Sequence, residues 1–350
     1  MPMRAGLIAA ALVAALLPVA ATAAPSTCFG QRPTIEGDPG DERIVGTAGR
    51  DVIMALRGND HVLGRGGRDR ICAGPGNDVI GGQADRDALH GQGGNDKVYG
   101  GDGADRLFAG TGVANVLLGN AGDDLLQGGA GFDRLFGQGG GDTLRGAEGV
   151  VDRAVFIFSS RRVRVDLGAG KARGEGRDVL RGVEDVEGSR HSDLLYGDRN
   201  PNWFFPRAGA DRIDGRGSTG DLVSLDGAPN PVTATMNEAS GHGADRFERI
   251  EGLQGSREFG DDLSGNDRPN LILGIGGPDD LFGLADDDWL DGGQGSDSAD
   301  GGPEVFGDRC IEIEDPIDCE QLGSSTAIRA RLVPAVSTER RESAILPAIR

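Results

Sequence analysis

The chain has 350 residues, of which 62 are glycine and 56 are aspartate or glutamate, and its formal net charge is −20. Aromatic residues make up only 5%, so a large aromatic-rich core and a basic nucleic-acid-binding surface are both excluded. The acidity comes mainly from aspartate, with 40 aspartates against 16 glutamates. Because aspartate and glycine favour turns over helices, this composition indicates a chain rich in turns.

The N-terminal segment has the pattern of an export signal. Arg4 supplies a positive charge, residues 6–17 are apolar and uncharged, and Ala21-Thr22-Ala23 forms a small-residue cleavage site. This apolar run is shorter than the ~20 residues that a membrane-spanning helix needs. Cys28 stands too far from the cleavage site for lipidation. We therefore predict a signal peptide over residues 1–23 and a secreted, extracellular protein with no membrane span.

A nine-residue period begins at Gly46 with the units GTAGRDVIM, ALRGNDHVL and GRGGRDRIC. Glycine is frequent at the first and fourth places, aspartate stands at the sixth and an aliphatic residue at the eighth. One inserted residue interrupts the period near Asn115, and looser copies occur further on. Asp221 is a weaker member, and Asn202 and Asn270 stand where an aspartate is expected. The sixth-place aspartates are Asp51, Asp60, Asp69, Asp78, Asp87, Asp96, Asp105, Asp124, Asp133, Asp142, Asp193, Asp211, Asp261, Asp279, Asp288 and Asp297.

A longer repeat overlies the nonapeptides in the second half of the chain. Residues 178–190 align with residues 245–257, and each copy follows a segment with β-type alternation, at 154–167 and 222–236. We therefore predict several parts in chain order. They are the signal peptide (1–23), an N-terminal cap (24–45), a run of nonapeptides (46–150), two modules of a strand-rich insert with nonapeptides (151–220 and 221–302), and a disulfide-containing C-terminal cap and tail (303–350).

The chain contains four cysteines, and in an exported protein this number indicates two disulfides. Proximity along the chain favours Cys28 with Cys72 and Cys310 with Cys319. A zinc site is disfavoured because no C-x-x-C is present and the four histidines are scattered. We expect the first bond to hold the lead-in segment across the open end of the repeat array and the second to close the other end.

A nine-residue unit with one obligate aliphatic residue cannot bury a core alone, so the units must stack. If two units make one coil and each contributes a short strand, the eighth-place side chains form a continuous interior ladder. Glycine at the first and fourth places permits the turns between strands. We predict an all-β fold: a parallel β-roll or β-helix solenoid of stacked nonapeptide repeats with strand-rich inserts.

This stacking would place every second sixth-place carboxylate in one column. Carboxylates ~5 Å apart repel by about 3 kcal/mol at an effective dielectric constant near 20. A divalent cation between successive carboxylates reverses the sign of this energy. Ca²⁺ suits the position best because it accepts six to eight oxygens in irregular arrangements, whereas Zn²⁺ prefers nitrogen and sulfur and Mg²⁺ needs a stricter octahedron. We predict that several Ca²⁺ ions bind between the coils.

Two units, GGDGADRLF at 100–108 and GGAGFDRLF at 128–136, resemble the G-G-x-G-x-D-x-U-x nonapeptide of the RTX (repeats-in-toxin, haemolysin-type) calcium-binding proteins. The resemblance implies a β-roll in which sixth-place aspartates and turn carbonyls of adjacent coils hold Ca²⁺. The chain differs from many family members in having a predicted N-terminal signal in place of a C-terminal one. The implied sites lie between Asp51 and Asp69, Asp60 and Asp78, Asp69 and Asp87, Asp78 and Asp96, Asp87 and Asp105, and Asp124 and Asp142.

Enzyme motifs are absent from the sequence, which contains no H-E-x-x-H, no G-x-S-x-G and no phosphate-binding G-x-x-x-x-G-K-[ST]. The repeats also leave no space of domain size for a separate catalytic unit. We predict a calcium-binding protein that is not an enzyme and has a structural or interaction role outside the cell, with an unknown extracellular or cell-surface partner. Two alternatives stay open: an extracellular adhesin, and a hydrolase with its active site in the insert modules.

Overall fold

The computed structural model describes residues 27–146, 151–303 and 308–313, together with the backbone of residues 315–317 and 320–321. The predicted signal peptide and most of the predicted C-terminal tail lie outside the described residues. Within the described part of the chain, no helix is long and apolar enough to cross a membrane.

Every regular element that the structure describes is a β-strand. The strands up to the first insert are β1 (Ile35–Glu36), β2 (Arg43–Val45), β3 (Val52–Met54), β4 (His61–Arg65), β5 (Arg70–Pro75), β6 (Val79–Ala84), β7 (Ala88–Gly93), β8 (Lys97–Asp102), β9 (Arg106–Ala121), β10 (Leu125–Gly139), β11 (Thr143–Arg145) and β12 (Arg153–Val155). The first insert and the coils after it contain β13 (Arg164–Asp166), β14 (Lys171–Arg173), β15 (Arg177–Arg181), β16 (Asp185–Glu187), β17 (Leu194–Tyr196), β18 (Trp203–Phe205), β19 (Arg212–Asp214) and β20 (Leu222–Ser224). The second insert and the last coils contain β21 (Thr233–Thr235), β22 (Glu238–Ser240), β23 (Asp245–Glu248), β24 (Gly252–Gln254), β25 (Asp262–Ser264), β26 (Leu271–Gly276), β27 (Asp280–Phe282), β28 (Trp289–Gln294), β29 (Ser298–Asp300), β30 (Arg309–Ile311), β31 (Asp315–Ile317) and β32 (Glu320–Gln321).

Successive strands belong alternately to two parallel sheets, because two nonapeptides make one coil. In the first sheet β3 pairs with β5, and Ile53 lies opposite Ile71. In the second sheet β4 pairs with β6, and Val62 lies opposite Ile80. The long strands β9 and β10 run through both sheets. The result is a parallel β-solenoid of about 15 turns, so the predicted fold class is confirmed.

The core is the ladder of eighth-place side chains between the two sheets. Burying one such aliphatic side chain stabilises the fold by ~1.5–3 kcal/mol. Because the coils are stacked, each coil adds a similar stabilisation. The ladder continues past the first insert with Phe204. The fully buried rungs of the first run of coils are Ile53, Val62, Ile71, Ile80, Leu89, Val98, Leu107, Leu117, Leu126, Leu135 and Leu144.

Each strand-rich insert is a three-stranded antiparallel meander that is built into the first sheet. In the first insert β14 pairs antiparallel with both β13 and β15, while β15 continues from β11 and β13 leads on to β17. In the second insert β21, β22 and β23 repeat this arrangement between β19 and β25. The second sheet contains no meander beside either insert, because β12 pairs directly with β16 and β20 pairs directly with β24. Of the β-type segment predicted at 154–167, the start belongs to this second sheet through β12 and the end forms β13 of the meander.

The first predicted disulfide is confirmed: Cys28 is bonded to Cys72. Its place differs from the expected one, because Cys28 packs on Val52 and Met54 on the outer surface of the first sheet, separate from the interior core. The open end is instead extended by β1, which pairs with β3. Cys310 is buried and disulfide-bonded, but Cys319 lies outside the described residues, so the pairing of Cys310 with Cys319 stays a prediction.

Candidate metal centre

The sixth-place residues form two columns, one along each edge of the solenoid. Within a column, the backbone N–H of one aspartate donates a hydrogen bond to Oδ1 of the aspartate one coil further on. Asp51 donates to Asp69 over 2.8 Å, and Asp60 donates to Asp78 over 2.7 Å. The two columns alternate along the chain as the period predicts, because each step is 18 residues wherever no residue is inserted.

The first column contains only aspartate, in three runs separated by the inserts. Its members are Asp51, Asp69, Asp87, Asp105, Asp124, Asp142 and Asp178, then Asp193, Asp211 and Asp245, then Asp261, Asp279 and Asp297. The second column is mixed. Its members are Asp60, Asp78, Asp96, Asn115, Asp133 and Asp152, then Asn202 and Asp221, then Asn270, Asp288 and Asp308.

Five members of the columns were missed by the nine-residue period: Asn115, Asp152, Asp178, Asp245 and Asp308. They were missed because insertions change the spacing. Asp142 reaches its neighbour Asp178 across 36 residues, and Asp211 reaches Asp245 across 34. A search for aspartate two residues before an apolar residue, without a fixed period, would have found the aspartates of this set, because that residue is alanine, leucine, phenylalanine or cysteine.

Every aspartate that the sequence predicts as a ligand is buried: Asp51, Asp60, Asp69, Asp78, Asp87, Asp96, Asp105, Asp124, Asp133, Asp142, Asp193, Asp211, Asp261, Asp279, Asp288 and Asp297. Asp221, the weaker candidate, is buried as well and accepts the N–H of Asn202. The structure therefore brings the predicted residues together in the predicted columns. Their role as metal ligands stays a prediction.

Most of these carboxylates use only one oxygen in hydrogen bonds. Oδ1 accepts the N–H of the preceding coil, while Oδ2 is buried without a hydrogen-bond partner. A buried oxygen of this kind is costly unless a cation or a donor meets it. The atoms concerned include Oδ2 of Asp60, Asp69, Asp78, Asp87, Asp96, Asp105, Asp124, Asp142, Asp211, Asp245, Asp279 and Asp288.

The electrostatics of the columns oppose the ionised form of the carboxylates. Burial raises the pKa of Asp87 to about 8, and the charges of Asp105 and Asp69 add to the effect, against the hydrogen bond from Asp69 that lowers it. Burial likewise raises the pKa of Asp78 to about 6, although the N–H of Asp60 opposes the change. A divalent cation beside these oxygens would stabilise the charged form.

In most coils a first-place glycine leaves a small space open beside the carboxylate, whereas Asp60 and Asp78 follow Ala55 and Ala73. A Cβ added to Gly82 would lie 2.3 Å from Oδ2 of Asp87 and 2.8 Å from the carbonyl oxygen of Gly100. At Gly64 the corresponding distances are 2.5 Å to Oδ2 of Asp69 and 3.0 Å to the carbonyl oxygen of Gly82. A carboxylate oxygen and a carbonyl oxygen of the next coil therefore border the same space, and these are the donors that Ca²⁺ prefers.

Side chains alone do not complete a site. Among the residues that the structure describes, no three or more histidine, cysteine, aspartate or glutamate side chains converge as a metal cluster. A cation held here would need the turn carbonyls for the rest of its ligands. This requirement fits an oxygen-seeking ion such as Ca²⁺ and excludes a zinc-type site of nitrogen and sulfur.

A parallel solenoid with buried aspartate columns defines a class of protein, the metal-binding nonapeptide-repeat β-rolls. The chain carries RTX calcium-binding nonapeptide repeats over the residues that the model of this family matches, and its parallel β-solenoid is consistent with an RTX β-roll. The family model described as "RTX calcium-binding nonapeptide repeat (4 copies)" matches residues 36–71, 45–80, 81–113, 118–150 and 273–303. No curated protein matches the chain.

Proposed function

We propose that the protein is a secreted calcium-binding solenoid that holds several Ca²⁺ ions between its coils and has a structural or interaction role outside the cell, without enzymatic activity. The observation that supports this function is the pair of columns in which buried carboxylates keep Oδ2 without a hydrogen-bond partner. The chain can reach its fold without strong internal repulsion only when positive charge enters these columns.

Asp78 illustrates how the residues would hold the ion. It lies between Asp60 and Asp96 in the second column and takes part in a hydrogen bond with each of them. Its Oδ2 has no hydrogen-bond partner, so one carboxylate can serve the spaces on both sides. Calcium supplies charge neutralisation and a link between coils when it is bound, and the aspartates and turn carbonyls position it.

Calcium-dependent folding tests the proposed function directly. Circular dichroism and small-angle scattering of the purified protein in EDTA at pH 8 should show an expanded chain with little β signal, and millimolar Ca²⁺ should produce compaction and a gain of β signal. Equal concentrations of Mg²⁺ serve as the control and should act weakly. A compact, β-rich protein in EDTA at pH 8 would contradict the proposal.

The extracellular role rests on the predicted signal peptide, the disulfide between Cys28 and Cys72 and the RTX repeats. Fractionation of the producing cells should place the mature chain, without residues 1–23, outside the cytoplasm. Retention on the cell surface that chelator releases would favour adhesion. Hydrolytic activity of the purified protein would favour the hydrolase and would end the proposal that the chain is not an enzyme.

A further inference from the structure

Most turns before the column residues adopt one of two conformations, which differ at the second place of the nonapeptide, whereas the turn before Asp178 belongs to neither kind. In the first kind, here called an open turn, the second-place residue has a left-handed backbone. Leu56 has φ 83°, and Ile275, a β-branched residue, has φ 82°. A left-handed residue other than glycine costs ~1–3 kcal/mol and persists where the surrounding structure requires it. Open turns precede Asp60, Asp69, Asp78, Asp87, Asp96, Asp105, Asp124, Asp142, Asp211, Asp245, Asp279 and Asp288.

The second kind, here called a capped turn, has no left-handed residue at the second place. The second-place N–H instead donates a hydrogen bond to the sixth-place side chain. Thr47 donates to Oδ2 of Asp51 over 2.7 Å, and Ser189 donates to Oδ2 of Asp193 over 2.6 Å. The sixth-place residues of the capped turns are Asp51, Asp133, Asp193, Asn202, Asp261 and Asn270.

The two kinds of turn separate the carboxylates without overlap. Each of the twelve aspartates named after open turns has Oδ2 buried with no hydrogen-bond partner, and each aspartate named after a capped turn has Oδ2 occupied by an N–H donor. The backbone conformation four or five residues earlier therefore decides whether the carboxylate has an oxygen free for a cation.

A serine or threonine hydroxyl holds three of the six capped turns in place, those before Asp51, Asp193 and Asp261. The Ser189 hydroxyl donates to the Asp193 carboxylate over 2.8 Å and accepts the N–H of His191. The Thr47 hydroxyl donates to Asp51 over 2.9 Å and accepts the N–H of Gly49. Serine and threonine favour such local turns, and the donors supply to the carboxylate the positive charge that a cation would supply elsewhere.

We propose that calcium binds only at the open turns and that the capped turns are metal-free, with N–H and hydroxyl donors in place of the ion. This inference rests on the proposed calcium-binding function. An N–H aimed at Oδ2 puts its hydrogen where a cation would lie, and the two repel each other. Two capped turns carry Asn202 and Asn270, whose neutral side chains bring no charge for a cation to balance.

Four of the six capped turns follow the inserts, whereas those of Asp51 and Asp133 lie in the first run of coils. Asp193 in the first column and Asn202 in the second come directly after the first insert, and Asp261 and Asn270 occupy the corresponding places after the second. Each insert is thus followed by one coil that is capped on both edges. Calcium would load the solenoid in separate runs, with a metal-free coil at the start of each later run.

Matched substitutions within one column test this assignment. Asp193 and Asp211 are neighbours in the first column, with Asp193 donating its N–H to Asp211. Asp193→Asn keeps an oxygen for the capping N–H of Ser189, as Asn202 and Asn270 do in their turns, but the N–H of Val163 loses the carboxylate oxygen that accepts it. We expect Asp193→Asn to lower the stability of the fold but to bind as many calcium ions as the parent. Asp211→Asn should lose at least one ion.

The measurement is calcium stoichiometry by equilibrium dialysis of the full mature protein, with circular dichroism to follow folding. Asp261→Asn and Asp279→Asn form a second pair with the same relation and decide the question if a variant of the first pair does not fold. A parent that binds calcium, with equal losses in both members of a pair, overturns this inference alone. A parent that binds no calcium overturns the proposed function and this inference with it.

Discussion

A sixth-place aspartate has two separate tasks in this protein. Its Oδ1 accepts an N–H from the preceding coil and so joins neighbouring coils, as Asp78 does for Asp60. Its Oδ2 is buried without a hydrogen-bond partner and is the oxygen that the proposed cation needs. An aspartate outside the sixth place, such as Asp102, is exposed and performs neither task.

Asp78→Asn should separate these tasks. The amide oxygen still accepts the N–H of Asp60, but the charge for two neighbouring calcium spaces is lost, so the calcium concentration at the folding midpoint should rise severalfold. Asp102→Asn removes one exposed charge and should change the midpoint by less than twofold, because exposed charges contribute little. Parallel calcium titrations followed by circular dichroism measure both. A shift in Asp102→Asn with none in Asp78→Asn would show that the register is wrong.

At the scale of the element, the turn is the functional unit, and its first place is glycine before Asp87 but alanine, Ala55 and Ala73, before Asp60 and Asp78. A Cβ at Gly82 would lie close to Oδ2 of Asp87 and to the backbone of the next coil, so a side chain there requires one of them to shift. Gly49 stands at the fourth place of its unit, where an added Cβ would meet only the Thr47 hydroxyl at 3.8 Å.

We expect Gly82→Ala to destabilise the calcium-loaded protein by ~1–3 kcal/mol, which is the usual cost of overpacking, and to raise the calcium requirement. Gly49→Ala is the matched control and should alter stability by less than ~1 kcal/mol. Urea unfolding in saturating Ca²⁺ measures the free energy of unfolding of both variants. Equal losses for the two would mean that the space beside Asp87 has no special role.

The disulfide acts on the element that leads into the solenoid. It joins residues 44 positions apart and fixes Phe29 near the rings of His90 and Phe108 on the outer side of the first sheet. In the chain-entropy description, a loop of this length stabilises the fold by about 4 kcal/mol.

Replacing Cys28 and Cys72 together by alanine should therefore lower the free energy of unfolding of the first coils by ~2–4 kcal/mol. Urea unfolding in saturating Ca²⁺, compared with the parent protein, measures the loss. Peptide mapping of the non-reduced parent provides the control for the bond itself. An unchanged urea midpoint in the double variant would mean that the lead-in segment is held by packing alone.

At the scale of the whole molecule, two columns of buried carboxylates make the metal-free fold sensitive to pH. The pKa values of these groups are raised, to about 6 for Asp78, about 7 for Asp96 and about 8 for Asp87, chiefly by burial. Folding then favours the protonated form, and the metal-free fold loses stability as the pH rises from the ordinary aspartate value through the raised values.

In EDTA, the β content and the urea midpoint should therefore be highest near pH 4–5 and fall progressively towards pH 8. Saturating Ca²⁺ should reverse the order, because the ions need ionised carboxylates. Circular dichroism at pH 5, 6.5 and 8, with and without calcium, tests this. A metal-free protein that is more stable at pH 8 than at pH 5 would contradict the proposed electrostatic balance.

The nine-residue spacing by itself determined the two sheets, the interior ladder and the two carboxylate columns, because a coil of two units converts a sequence step of 18 directly into one step of the solenoid. Tertiary structure decided what that spacing does not encode. Asp178 and Asp245 entered the first column only because an antiparallel meander brings a distant strand back beside it. The choice between open and capped turns depends on the direction of a single second-place N–H, which is set by the local backbone conformation and the hydrogen bonds around Ser189 or Thr47.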